Sequence, residues 1–169
     1  MAEGSVVAKS RTQSAAPVAH EVVAAVDLGS NSFRLQVGRV VEDQIYPLDS
    51  LREVVRLAAG LSADKRLDDA SQQRALQALK RFGERLRGFP ATSVRAVGTN
   101  SLRVAKNSRD FLIRAEHALG FPIEVVAGKE EARLIYLGVS HSLPPTSEKR
   151  MVVDIGGGST EFIIGRKVQ

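Results

Sequence analysis

Between residues 152 and 162 the chain reads VVDIGGGSTEF. Three consecutive glycines lose the most backbone entropy on ordering and offer nothing to pack, so they do not belong inside a strand. They separate two apolar runs, the first carrying Asp154 near its end and the second carrying Glu161 near its start. That pattern reads as strand, tight turn, strand. The same design stands near the other end. Residues 22–26 are apolar, Asp27-Leu28-Gly29-Ser30-Asn31 follows, and residues 33–41 resume with Phe33, Leu35 and Val37 alternating against Arg34, Gln36 and Gly38. A lone turn of this kind is satisfied by an ordinary hairpin. Two of them, each behind a strand-terminal Asp, ask for a shared purpose.

The intervening chain alternates strand and helix signals. A third strand is expected within 44–57, interrupted or frayed at Pro47. Asp68 and Asp69 offer N-caps for a helix to about Arg87, with Gly88 and Pro90 ending it. Residues 94–97 read as a short interior strand running into Gly98-Thr99-Asn100-Ser101, and a short helix is expected from Leu102. Residues 109–119 form another helix, 122–126 a strand, and 129–140 a helix with Ala132, Ile135, Tyr136 and Val139 as its buried stripe. The expected class is α/β with a mixed sheet and flanking helices. Because the chain stops just after the second hairpin, a truncated second domain is expected. An apolar patch near Val152, Val153, Phe162 and Ile164 should then be left uncovered.

Composition narrows the chemistry. The 169 residues contain no cysteine, which removes thiolate catalysis, disulfides and Cys-held metals. The net charge of +5 favours anionic partners, but 5% aromatics and no Trp supply a poor stacking surface for single-stranded nucleic acid. Nucleic acid is therefore not the expected partner. Nothing is apolar for long enough to span a membrane. Residues 1–20 are Ala- and Ser-rich without a sustained apolar core; a disordered leader and a cytoplasmic location are expected. His20, His117 and His141 show no ligand spacing, Tyr136 reads as core, and Lys129 as a solvated surface residue.

A turn of Gly156, Gly157 and Gly158 with Ser159 after it lets backbone N–H groups converge on phosphate oxygens without side chains in the way. Asp154 and Glu161 cannot favourably touch phosphate, but they can hold Mg²⁺ or a water against it. The same logic places Asp27 beside the Gly29-Ser30-Asn31 turn. Other phosphate motifs fail: there is no P-loop, and a GxGxxG begun at Gly156 meets Glu161 at its sixth position. Glu130 and Glu131 sit in the first turn of a helix, where acids also offset the macrodipole. Adjacent helical residues point about 100° apart, so at most one of them reaches a cleft.

The paired turns resemble the phosphate loops of the acetate kinase, sugar kinase, heat-shock chaperone and actin superfamily. Four words narrow this: DLGSNSFRL at 27–35, VGTNSLR at 97–103, GKEEARLIYLGV at 128–139 and VVDIGGGSTEF. Together they resemble the exopolyphosphatase and guanosine pentaphosphatase family over residues 21–169, the exopolyphosphatase branch most. The resemblance implies an actin-like ATPase fold, with a first domain at 21–127 and the start of a second at 128–169. It implies Mg²⁺-dependent removal of the terminal phosphate from polyphosphate or from a guanosine pentaphosphate in an interdomain cleft. By the same resemblance Glu131 is the general base, and Asp154 and Glu161 place metal and water; Asp27 is expected beside them as a metal residue from its matching position at the first turn. Asn31, Ser32 and Arg34 form the first phosphate loop, Gly156, Gly157, Gly158 and Ser159 the second, and Arg103 is a cationic phosphate contact. A homodimer stays open for a full-length enzyme, and the 169-residue chain alone is expected to be inactive. A phosphate- or nucleotide-sensing module without turnover is the non-enzymatic alternative.

Overall fold

The computed structural model describes residues 21–42, 44–144 and 146–166; the expected leader and His20 lie outside them. Three antiparallel strands open the chain: β1 (Glu21–Leu28), β2 (Ser32–Val41) and β3 (Gln44–Val54). Helix α1 (Asp69–Arg85) crosses over to β4 (Val94–Gly98), which lies parallel beside β1. Two helices, α2 (Asn100–Val104) and α3 (Ser108–Leu119), lead to β5 (Ile123–Val125), parallel to β4. The sheet order is β3-β2-β1-β4-β5. Helix α4 (Gly128–Ser142) then leads to a separate two-stranded hairpin, β6 (Arg150–Ile155) and β7 (Thr160–Gly165). The fold is therefore α/β, with a mixed sheet and flanking helices. None of the described helices is long and apolar enough to cross a membrane.

One face of the five-stranded sheet makes the core. Val26, Leu28, Phe33 and Leu35 from the strands meet Leu79 and Phe82 of α1 and Phe111 and Leu119 of α3. Alternation makes this possible, since β1 and β2 bury every second residue. Helix α1 presents Ala75, Ala78, Leu79 and Phe82, spaced three and four apart on one side. Its N-cap is Asp68, whose carboxylate accepts from Ser71 N at 2.6 Å. Past its end Gly88 takes a left-handed φ of 88°, and Gly120 caps α3 at φ 83°.

Three expectations need correcting. Strand β3 is not interrupted at Pro47. The strand lies at the sheet edge, and a bulge shifts its register between Val37 and Gly38, so Pro47 pairs with Gly38 and Asp49 with Val37. A proline lacks the N–H that an interior strand must donate, which an edge and a bulge both tolerate. Helix α2 starts at Asn100 rather than Leu102. The uncovered apolar face of the second hairpin is Met151, Val153, Ile155, Phe162 and Ile164. Val152 is not part of it: neighbours on a strand face opposite sides, and Val152 is half-buried. The stripe of α4 likewise buries Ala132, Tyr136 and Ser140, with Ile135 and Val139 half-buried.

Helices α1 and α3 cross closely at Gly83, where an added Cβ would lie 2.6 Å from the Leu119 carbonyl oxygen and 2.9 Å from that of Ala118. Helix propensity alone predicts that Gly83→Ala stabilises by about 1 kcal/mol. Overpacking against backbone that cannot swing away costs about 1–3 kcal/mol. The clash should win, with Tm lower by roughly 2–6 °C in a thermal melt; a rise in Tm would show that the crossing is loose.

Candidate functional site

The two hairpins repeat one backbone plan. Asp27 pairs with Arg34 and Leu28 with Phe33 in the first; Asp154 pairs with Glu161 and Ile155 with Thr160 in the second. Each acid thus stands at the same register before its turn. Gly29 and Gly156 match as well. A Cβ on Gly29 would lie 2.9 Å from Ser32 O, and one on Gly156 would lie 3.2 Å from Ser159 O. Gly156 N closes the second turn by donating to that same Ser159 O at 3.0 Å. Neither Gly157 nor Gly158 has a positive φ. They are needed for approach, not for backbone freedom. A Cβ on Gly157 would sit 2.9 Å from Asn31 Cβ, and one on Gly158 would sit 2.8 Å from Ser30 Oγ and 3.0 Å from Asn100 Nδ2. The second turn rests directly on the first.

The carbonyls of the first turn are tied elsewhere. Ser30 O accepts from Ala58 N at 2.9 Å, and Asn31 O accepts from Val55 N at 3.1 Å and Arg56 N at 2.7 Å. These two carbonyls are thereby committed to the segment after β3. Around both turns lies a cavity of about 210 Å³. Its walls include Asp27, Asn31, Ser32, Thr99, Glu131 and Asp154, together with Gly156, Gly157, Gly158 and Ser159. A larger hollow of about 620 Å³ lies on the outer face of the sheet, but it contains neither turn and none of Asp27, Glu131 and Asp154. Chemistry, not size, selects the smaller one.

Of the two adjacent acids on α4, Glu131 faces the cavity, whereas Glu130 pairs with Arg133 at 2.7 Å on the exposed side. The remaining candidates fall in three other places. Arg103 does not line the cavity; its Nη1 donates to Glu131 Oε2 at 2.8 Å and to Val126 O at 2.9 Å. Arg34 lines a neighbouring hollow of about 320 Å³ that shares Asp27 with the first. Glu161 lies outside the cavity lining, and its Oε2 is buried with no hydrogen-bond partner.

Among the described residues no three Asp, Glu or His side chains converge into a ready-made cation cage. Mg²⁺ does not need one, because it commonly takes one or two carboxylates and completes its shell with water and phosphate oxygens. The donor chemistry fits it. Glu161 carries an uncompensated buried oxygen directly opposite Asp154, and Asp27 shares the cavity with Asp154 and Glu131. Asp27 shows the strain of that grouping. Protein crowded around it removes water, which is the largest cause raising its carboxyl above the ordinary 3.8; Glu131 and Asp154 push the same way and Arg34 opposes them.

Sequence reasoning missed Thr99, Asn100, Ser101 and Ser30. Asn100 Nδ2 donates to Gly158 O at 2.6 Å, and Ser101 Oγ donates to Ser30 Oγ at 2.8 Å. The signal was present as a run of small polar residues directly after an interior strand.

A profile of the Ppx/GppA phosphatase family matches residues 36–169. The chain belongs to that family. Solved Ppx/GppA structures agree with it in fold. One from Aquifex aeolicus is 32% identical with a TM-score of 0.77, covering 87% of this chain and 49% of that one. An exopolyphosphatase from Cytophaga hutchinsonii is 32% identical with a TM-score of 0.81, covering 88% of this chain and 48% of that one. An exopolyphosphatase-like protein is 34% identical with a TM-score of 0.78, covering 86% and 45%. The chain thus spans about half the length of the Ppx/GppA structures it matches. The fold is the actin-like ATPase type that the four sequence words implied.

Asp27 gives a testable sign. A carboxyl whose folded value is raised supplies stability below its ordinary 3.8 and loses it as pH climbs through the raised value. At pH 7 in a chelator its charge therefore works against folding. Asp27→Asn should raise Tm at pH 7, and the gap from wild type should close as pH falls towards 4. A gap that does not depend on pH would contradict a carboxyl raised chiefly by burial.

Proposed function

We propose that this chain provides the catalytic acids and phosphate turns of an Mg²⁺-dependent exopolyphosphatase that acts in the cytoplasm. The reading rests chiefly on one observation: Glu131, Asp27 and Asp154 line the same small cavity as both glycine turns. On this reading residues 21–127 belong to the first actin-like domain and 128–169 open the second, so the cleft is interdomain. The solved exopolyphosphatase from Cytophaga hutchinsonii, 32% identical, supports polyphosphate as substrate. Guanosine pentaphosphate is the competing substrate, since it ends in the same phosphoanhydride.

Cleavage of a phosphoanhydride needs charge neutralised, a water oriented and the geometry in line; it needs little covalent help. The N–H groups of the two turns, with the Ser32 and Ser159 hydroxyls, cradle the terminal phosphate. Glu131 accepts the proton of the attacking water. Arg103 holds the Glu131 carboxylate in place through a half-buried pair, the two side chains being 25% and 12% exposed. That pair engages Nη1 alone, and a guanidinium carries five N–H donors, so contact with a phosphate oxygen is still open to it. Asp154, Glu161 and Asp27 would hold Mg²⁺, which when bound supplies positive charge to the phosphate oxygens. The placement of Glu131, rather than the turns, favours turnover over a module that senses phosphate without cleaving it.

The decisive assay is phosphate release by the full-length protein from long-chain polyphosphate and from guanosine pentaphosphate. Release from polyphosphate at the higher kcat/KM is expected, with the 169-residue chain alone far slower. Glu131→Gln should lower kcat by at least about 100-fold while polyphosphate still binds. Near-normal turnover by that variant would remove Glu131 from the chemistry.

A further inference from the structure

The outer face of the sheet carries a charge arrangement that folding does not explain. Arg34 on β2 and Arg52 on β3 are in direct register and both exposed. Like charges directly opposite one another on antiparallel strands destabilise the pair. Five other arginines of the described residues have carboxylate partners: Arg81, Arg85, Arg95, Arg103 and Arg133. Neither Arg34 nor Arg52 has one among the described residues. Arg52 instead donates from Nε to Ser32 Oγ at 3.3 Å, and Ser32 is a wall of the phosphate cavity. Asp27, another wall, is in register with Arg34. Asp27, Arg34 and Arg52 therefore form one row across three neighbouring strands, about 4.8 Å apart from strand to strand. The row runs from the cavity to the free edge at β3.

We infer that Arg34 and Arg52 form a lane for the phosphates that follow the terminal one, so that a linear polyanion leaves the cavity across β2 towards the sheet edge. The inference rests on the phosphoanhydride reading above and adds a direction and a length preference to it. A polyanion laid on the row neutralises the two opposed guanidiniums, and the planar fork of arginine suits phosphate oxygens that present two acceptors at once. Arg52 does the selecting. Arg34 stands beside the terminal phosphate site and meets short and long substrates alike, whereas Arg52 lies one strand further out.

The test is phosphate release by full-length wild type, Arg52→Gln and Arg52→Lys, with tripolyphosphate and with long-chain polyphosphate as substrates. For Arg52→Gln, KM for the long chain should rise about fivefold or more and by clearly more than KM for tripolyphosphate, which loses only the Arg52–Ser32 contact beside the terminal phosphate. Its long-chain affinity should also depend less on salt, by about one unit in the slope of log K against log salt. Arg52→Lys, which keeps the charge, should recover most of the loss. Because the substitution relieves repulsion, Tm should hold or rise. Equal KM changes for both lengths, no change for either, or a fall in Tm would overturn the lane. If wild type releases phosphate and Arg52→Gln matches it, the lane alone fails; if wild type cleaves neither substrate, the phosphoanhydride reading fails and the lane with it.

Discussion

The contact between the two glycine turns holds the site together. Gly157 lies over Asn31 and Gly158 over Ser30, closer than any side chain on either glycine would allow. From that contact the short helix α2 distributes support in three directions. Asn100 grips the second turn, Ser101 grips the first, and Arg103 grips Glu131 on α4. Successive helical residues point about 100° apart, so one five-residue helix can address three different elements. The cavity is small because its walls are bound to a common hub, and the acid on α4 is aimed because Arg103 belongs to that hub.

The same grouping works against stability. Asp27, Asp154 and Glu131 share a cavity, Glu161 buries an unpartnered oxygen, and Arg34 faces Arg52 across a strand pair. Each of these is unfavourable in the protein by itself and becomes favourable with a cation or a polyanion present. Local conflict of this kind concentrates where a chain serves a ligand rather than its own core. The core below shows none of it: β1, β2, α1 and α3 meet through aliphatic and phenylalanine side chains.

Much of this was legible in the sequence because it is periodic or local. Strand alternation, the α1 stripe, its Asp68 cap and its Gly88 stop follow from spacing along the chain. The two Asp-then-glycine turns were visible as a repeat. That at most one of Glu130 and Glu131 reaches a cleft follows from their differing directions, while the choice of Glu131 comes from the family resemblance. What escaped depends on distance between elements. No local rule says that Gly158 approaches Ser30, or that Arg103 reaches Glu131 on α4. Helix α2 has too few residues for periodicity, so only the run of small polar residues after β4 pointed to Asn100 and Ser101. From the strand alone Pro47 implies an interrupted or frayed segment, because edge position and bulge are properties of the sheet. The Val152 error was avoidable, since alternation already forbids Val152 and Val153 from sharing a face.

The hairpins match in backbone and differ in sign. At the position seven residues after each turn acid, the first places Arg34 and the second Glu161. One backbone plan thus carries opposite charges at one register position, Arg34 on the flank of the five-stranded sheet and Glu161 on the β6–β7 hairpin. On the proposed reading, an anion that carries its cation would meet the site in a preferred orientation, anion towards Arg34 and cation towards Glu161.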